Sequence, residues 1–159
     1  MKALVVYDSA FGNTEKVAQA VQEALGGEPQ VDIRRAGDVR PEHLSGLNLL
    51  VVGSPTQKFT ALPTVSRWLK SIPANGLAGV KVAAFDTRIP MGDNVPGILR
   101  FFVRLFGYAA EPIADRLTRR GGTQAAPPEG FLVLDTQGPL KEGELERAAE
   151  WARHLARAL

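Results

Sequence analysis

The sequence predicts an α/β fold: a three-layer, doubly wound sheet of five parallel strands, the last strand interrupted, with helices on both faces. Two patterns predict it. Short runs at residues 2–7, 31–34, 48–53, 80–85 and 131–134 are apolar on successive residues, as strands covered on both faces are. Between them lie apolar stripes at helical spacing: Val17, Val21 and Leu25; Val65, Trp68, Leu69 and Ile72; and Leu145, Ala148, Ala149, Ala152, Leu155 and Leu159. Strands alternating with helices imply right-handed βαβ crossovers and hence a parallel sheet. At 159 residues the chain suits one domain, 1–159, large enough to bury a core without disulfides or metals.

Taken in order, the first strand leads through "DSAFGNTE" into a helix on "NTEKVAQAVQEAL". The second strand is the weakest, because "VDIRRA" is short and half charged, and residues 41–45 allow only a brief helix. After the third and fourth strands comes "PGILRFFVRLFGYAAEPIADRLTRRGG". Here Ile98, Phe101, Phe102 and Leu105 form one stripe, Leu99, Val103 and Phe106 a second, and only Arg100 and Arg104 a polar line. A helix so apolar must be covered on most sides, which leaves core packing, a homodimer contact through Phe101, Phe102 and Leu105, or a lid over a site. Pro112 is expected to begin a further helix through Arg120, and "TQAAPPEGFLVL" reads as the final strand broken by a turn.

Composition excludes several chemistries. Apolar residues make up 45% and charged residues 23%, a globular balance. The absence of cysteine removes disulfides, thiolate metal sites, iron–sulfur ligation and a cysteine nucleophile. A net charge of +2, interspersed along the chain, does not call for nucleic acid. No apolar run approaches the ~18 residues of a membrane span, so a soluble, cytoplasmic protein is expected. His43 and His154 stand apart without metal-ligand spacing, and no GxSxG elbow occurs. A phospho-receiver domain shares the strand–helix order but needs an aspartate ending the third strand, where this chain has Gly53 and Ser54. Asp8 alone does not hold the magnesium that such chemistry uses.

In an open parallel sheet, ligands bind beyond the carboxyl ends of the strands. Three loops gather there. In the first, Ser9 and Thr14 offer hydroxyls, Gly12 permits a left-handed turn, and Asn13 or Thr14 caps the helix that follows. Backbone N–H groups at that helix start make a nest for an anion. No lysine stands where a triphosphate loop needs one and GxGxxG is absent, which leaves a monophosphate.

"YDSAFGNTEKVAQAV" resembles the phosphate loop of flavodoxins and their relatives, with Ser9, Gly12, Asn13 and Thr14 on the family pattern and Phe11 where many members carry a second hydroxyl. The resemblance implies a flavodoxin-like fold and FMN, its 5′-phosphate held by Ser9, Ala10, Phe11, Gly12, Asn13 and Thr14. "GSPT" after the third strand resembles the loop covering one side of the flavin ring. It implies contacts from Ser54, Pro55, Thr56, Gln57, Lys58 and Phe59, with Phe59 the aromatic best placed to stack. "FDTRIPMGDNVPG" stands where the family supplies the other ring contact, implying Asp86, Thr87 and Arg88. It lacks the usual aromatic, which leaves Ile89 or Met91 to cover that side, or leaves it open.

Trp68 shares a register with Val65, Leu69 and Ile72 and is assigned to the core. Lys58 and Arg88, against Asp86 and Asp93, imply a less negative flavin couple than in acidic members of the family. No glycine lies between Thr56 and Thr60, so a left-handed backbone there costs about 1–2 kcal/mol. The expected function is electron transfer between a donor and a redox protein or small-molecule acceptor. The alternatives are an FMN-dependent NAD(P)H:quinone-type reductase of the same fold and a flavin-free α/β interaction module.

Overall fold

The structure, a computed structural model, describes residues 1–27, 29–90, 96–98, 100–101 and 107–159. Strands β1 (Ala3–Tyr7), β2 (Val31–Arg35), β3 (Leu49–Pro55), β4 (Lys81–Arg88) and β5 (Thr123–Gln124) lie parallel in the order β2-β1-β3-β4-β5. The last strand is interrupted, as expected: β6 (Glu129–Leu132) also pairs with β4, opposite Phe85 to Arg88, while β5 pairs with Lys81 and Val82. Between them stands "AAPP", whose prolines have no N–H to give the ladder.

Helices α1 (Asn13–Ala24) and α4 (Glu144–Arg157) cover one face, and α2 (Pro63–Ser71) and α3 (Ala110–Arg119) the other. Alternate strand residues feed the two cores. Leu4, Val6, Leu50, Val52, Val82 and Ala84 pack with Trp68, Leu69 and Ile113. Val5, Val51, Ala83 and Phe85 pack with Val17, Val21 and Trp151 on the opposite face. Trp68 is a core residue, 7% exposed. Gly53 is fixed by packing: a Cβ there would lie 2.0 Å from Phe85 Cζ, so only glycine lets that ring cross the strand. Phe85 in turn meets Phe131 and Trp151 edge-on, with centroids 5.9 and 6.0 Å away.

Several boundaries differ from the sequence reading, and β6 spans Glu129–Leu132 where residues 131–134 were expected. Strands β3 and β4 run on to Pro55 and Arg88, because each has a neighbour to pair with at that end. Helix α3 starts at Ala110 rather than Pro112. Proline is tolerated two residues in, where an N–H has no intrahelical acceptor. Residues Pro41–Leu44 form a single 3-10 turn, the brief helix expected there. Of the apolar stripes after β4, Ile98 and Phe101 are 69% and 59% exposed, whereas Leu99, Phe102, Val103, Leu105 and Phe106 lie outside the described residues. No helix among the described residues is long and apolar enough to cross a membrane.

Candidate functional site

Register alone brings the site together. Tyr7 stands opposite Gly53, and Gly53 opposite Phe85, so the chain leaves β1, β3 and β4 along one edge. A cleft opens there, lined by Ser9, Ala10, Phe11, Asn13, Thr14, Pro55, Thr56, Gln57, Thr87, Arg88, Ile89, Val133 and Thr136. Among the described residues, no carboxylate lines it. Its cavity volume is about 80 Å³.

The first loop builds one end. Gly12 sits at φ 92°, ψ −8°, a left-handed conformation that turns the chain into α1; it occupies the N-cap with no side-chain cap bond, so Asn13 and Thr14, expected to cap the helix, are its first two residues instead. The Ser9 hydroxyl accepts the N–H groups of Gly12 at 3.0 Å and Glu15 at 3.4 Å, while those of Asn13 and Thr14 have no intrahelical acceptor. Thr14 and Thr87 are buried, and their hydroxyls meet at 2.7 Å across the cleft floor. Asn13 is buried as well, and its Nδ2 donates to Gln137 O at 3.1 Å.

Charges beside this loop are turned outward. Asp8 accepts from Arg35 Nη1 at 2.8 Å and from the Thr64 hydroxyl. Arg35 also reaches Glu15 Oε2 at 3.4 Å, and Glu15 Oε1 accepts from the Tyr7 hydroxyl at 3.1 Å. Burial, aided by Glu15, pushes the Tyr7 phenol above its ordinary pKa.

The end of β4 is built differently. Asp86 and Arg88 are strand residues two apart, so they share the α3 face, while Thr87 points to the α1 face. Asp86 is 0% exposed, and Arg88 grips it with Nε on Oδ1 at 2.6 Å and Nη2 on Oδ2 at 2.7 Å. The N–H of Ala110, at the start of α3, donates to Oδ2 at 2.9 Å. Burial pushes the Asp86 carboxyl up, against the pull of Arg88 and this N–H. The Arg88 guanidinium lies 3.7 Å from the centroid of Tyr108, and a Cβ at Gly130 would come within 2.2 Å of its Nε. Arg88 thus lines the cleft with its charge already compensated, which revises the charge balance read from the loops. Asp93 lies outside the described residues, and Lys58 is the cation that remains.

Of the residues singled out in the sequence, the cleft gathers Ser9, Ala10, Phe11, Asn13, Thr14, Pro55, Thr56, Gln57, Thr87 and Arg88. Gly12, Ser54, Lys58, Phe59 and Asp86 do not line it. Ser54 is fully buried and accepts the Leu62 N–H at 2.9 Å. Lys58 and Phe59 form the tip of a two-residue hairpin closed by Gln57 and Thr60, with φ of 49° and 68°. Positive φ at both positions is the signature of a type I′ turn, built here without glycine. Sequence reasoning missed Val133 and Thr136, which come from the turn after β6, where Val133 pairs with Leu140. The Gly138–Pro139 dipeptide was the available turn signal.

The sequence profile of the flavodoxins matches residues 5–151. No curated protein matches at a significant level. Among solved structures, oxidised flavodoxin 2 from Bacillus cereus superposes with a TM-score of 0.79 at 22% identity, covering 100% of both chains. A flavodoxin from the domain Archaea gives 0.76 at 22% identity, over 99% of this chain and 97% of that one. The rubredoxin:oxygen oxidoreductase of Desulfovibrio gigas gives 0.72 at 23% identity, over 99% of this chain but 35% of that one.

Proposed function

This chain belongs to the flavodoxin family, and we propose that it binds FMN in the cleft at the ends of β1, β3 and β4 and carries electrons between redox partners. One observation carries the placement: a small cleft at a helix N-terminus, with a left-handed glycine, buried hydroxyls and no carboxylate among the described residues, fits a phosphate dianion. When bound, FMN supplies the redox chemistry, and the chain supplies binding, shielding and a fixed charge environment.

The residues divide that work by position. Ser9 and Thr14, with the N–H groups of Asn13 and Thr14, hold the phosphate; Thr87 orients the Thr14 hydroxyl. Thr56, Gln57 and Thr136 offer polar groups along the walls, and Phe11 and Ile89, 49% and 48% exposed, give the rim apolar surface for a flat ring. Lys58 and Phe59 lie at the hairpin tip beyond Gln57, placed to approach the ring from the side. Asp86 acts through Arg88 as a positioning residue.

The test begins with the visible spectrum and FMN content of the purified protein. Thr14→Val removes a hydrogen bond to a charged group, about 1.5–3 kcal/mol, so FMN affinity falls roughly ten- to a hundredfold. Wild type is expected to bind riboflavin, which lacks the phosphate, far more weakly than FMN. Equal affinity for the two overturns the placement, and turnover of NAD(P)H with a quinone would make the protein a reductase instead. A second copy of the chain on Phe101 is checked by light scattering, where a monomer removes that partner.

A further inference from the structure

The cations of this molecule are distributed unevenly between its surfaces. Around β2, β6 and α4 most arginines are paired, Arg34 with Asp32, Arg35 with Asp8 and Glu15, Arg147 with Glu129 and Glu144, Arg153 with Glu150, while Arg157 at the end of α4 makes no ion pair among the described residues and donates to Arg153 O. On the α2/α3 face, Arg67, Lys70, Arg116 and Arg119 make no ion pair among the described residues. Helix α2 has no acid at all, and α3 has only Glu111 and Asp115, both exposed. Arg120 joins the group from the end of α3, where its Nη2 reaches Lys70 O at 3.5 Å and its buried Nε has no partner.

A groove of about 240 Å³ runs between the two helices. Lys70 and Arg116 stand in its walls with the hydroxyl residues Thr60 and Ser66, over a floor that includes Leu69 and Ile113, and among the described residues no carboxylate lines it. Helix dipoles favour a cation in each last turn. They do not call for five on one face, nor for like charges at Arg116 and Arg120, four apart on successive turns, where they repel. Thr60 closes the hairpin whose other end, Gln57, lines the cofactor cleft, so the groove and the cleft sit on the two sides of one four-residue turn.

We propose that the α2/α3 groove and its rim of Arg67, Lys70, Arg116, Arg119 and Arg120 are the docking face for an acidic redox protein, which seats carboxylates on these cations beside the hairpin. This rests on the electron-carrier reading and names its partner by charge. A protein suits the face better than a nucleic acid, because two of the cations, Lys70 and Arg116, line one discrete groove with an apolar floor and the chain as a whole carries only +2. Complementary charge steers encounter and orients the partner, and it weakens with salt.

The experiment measures association of the full chain, with and without FMN, to two probes of opposite charge: an acidic plant-type ferredoxin and a basic cytochrome c. Wild type is expected to bind the ferredoxin and not the cytochrome, losing tenfold or more in affinity between about 20 and about 200 mM salt. K70Q/R116Q should weaken ferredoxin binding at unchanged thermal stability, and R67E/K70E/R116E should abolish it and create affinity for the cytochrome. Absence of ferredoxin binding, a salt-independent affinity, or unchanged affinity in both variants overturns the proposal. Tighter binding of a DNA oligonucleotide or of inorganic phosphate than of ferredoxin also overturns it, in favour of a polyanion or small-anion site. Because the readout is association and not turnover, a protein that takes up no FMN but binds ferredoxin through these residues would refute the cofactor placement alone.

Discussion

The two ends of the cleft solve the problem of charge in opposite ways. At the α1 end the fold offers neutral groups: hydroxyls of Ser9 and Thr14, first-turn N–H groups, and a glycine at φ 92°. Nearby charged side chains are drawn outward, Asp8 onto Arg35 and Thr64. At the β4 end the fold buries a full ion pair, Asp86 with Arg88, clamped by Tyr108, Gly130 and the start of α3. Neutral donors that face an open cleft cost less to keep than an uncompensated charge and stay available to a ligand; a buried ion pair already consumes its own hydrogen bonds and serves the architecture. Mutations at the first end should therefore register mainly in affinity, and at the second mainly in stability.

The largest test of that contrast is Asp86→Ala, which leaves the Arg88 guanidinium uncompensated among buried groups. Breaking such a pair from one side costs about 3–5 kcal/mol, to be read from urea denaturation at neutral pH. Replacing both partners, Asp86→Asn with Arg88→Met, should recover part of the loss, since no charge is then buried and an amide oxygen can still accept the Ala110 N–H. If Asp86→Ala costs no more than the ~1 kcal/mol expected for the Thr14–Thr87 hydroxyl bond, the two ends do not differ as described.

The contrast also explains what could be read in advance. The α1 end was legible because its chemistry is local: a serine, a glycine three residues on and a helical stripe, all within Ser9 to Leu25, although the N-cap falls on Gly12 and not on Asn13 or Thr14. The sheet was legible from its apolar runs, whereas the order β2-β1-β3-β4-β5 is seen only in the structure. The β4 end was not. Asp86 and Arg88 look like the start of a polar loop, and only pairing with β3 and β6 makes them strand. Their i, i+2 spacing with opposite charges was a usable signal for one shared face. The left-handed Lys58 and Phe59 were hidden for a similar reason. Closure of the hairpin by Gln57 and Thr60 imposes a conformation that neither residue type favours.

The β4 end is fastened from the opposite face as well, where Glu144 accepts the Leu132 N–H of β6 at 2.7 Å and holds Arg147 Nε at 3.0 Å and Nη2 at 2.8 Å. Arg147 in turn donates to Gly130 O. The Arg147 guanidinium, partly opposed by burial and aided by the Leu132 N–H, lowers the Glu144 carboxyl below its ordinary value of 4.5. A carboxylate with a depressed folded pKa stabilises fully above its unfolded value and loses that contribution as pH falls through the folded one. Glu144→Gln should therefore cost about 1.5–3 kcal/mol at neutral pH, with the gap to wild type closing under acid. Denaturation curves at both pH values check it; a gap that persists in acid would assign the loss to shape rather than charge.

At the α1 end, Gly12→Ala isolates backbone conformation, because an added Cβ would have nothing within 4 Å to strike. The left-handed φ should cost about 1–2 kcal/mol in stability, and Gly12→Asn less, since asparagine tolerates that region. If FMN affinity falls further in the alanine variant than the stability loss alone accounts for, the turn matters to the ligand as proposed. Unchanged affinity would mean that the amides do not need this geometry.

The smallest effect belongs to the hairpin between the two ends. Lys58 is exposed and held at φ 49°, a conformation costing a long side chain of this kind about 1 kcal/mol, and asparagine is the residue that first positions of type I′ turns favour. Lys58→Asn should raise stability by about 0.5–1 kcal/mol in the FMN-free protein. Lys58→Gln serves as the control, because it removes the same charge without easing the backbone, and it should leave stability unchanged. Separate behaviour of the two variants in denaturation would locate the effect in the turn, where the fold accepts strain to set Gln57 against the cleft and Thr60 against the groove. Equal shifts in both would place it in the lost charge instead, and the hairpin would then carry no strain for a ligand or a partner to exploit.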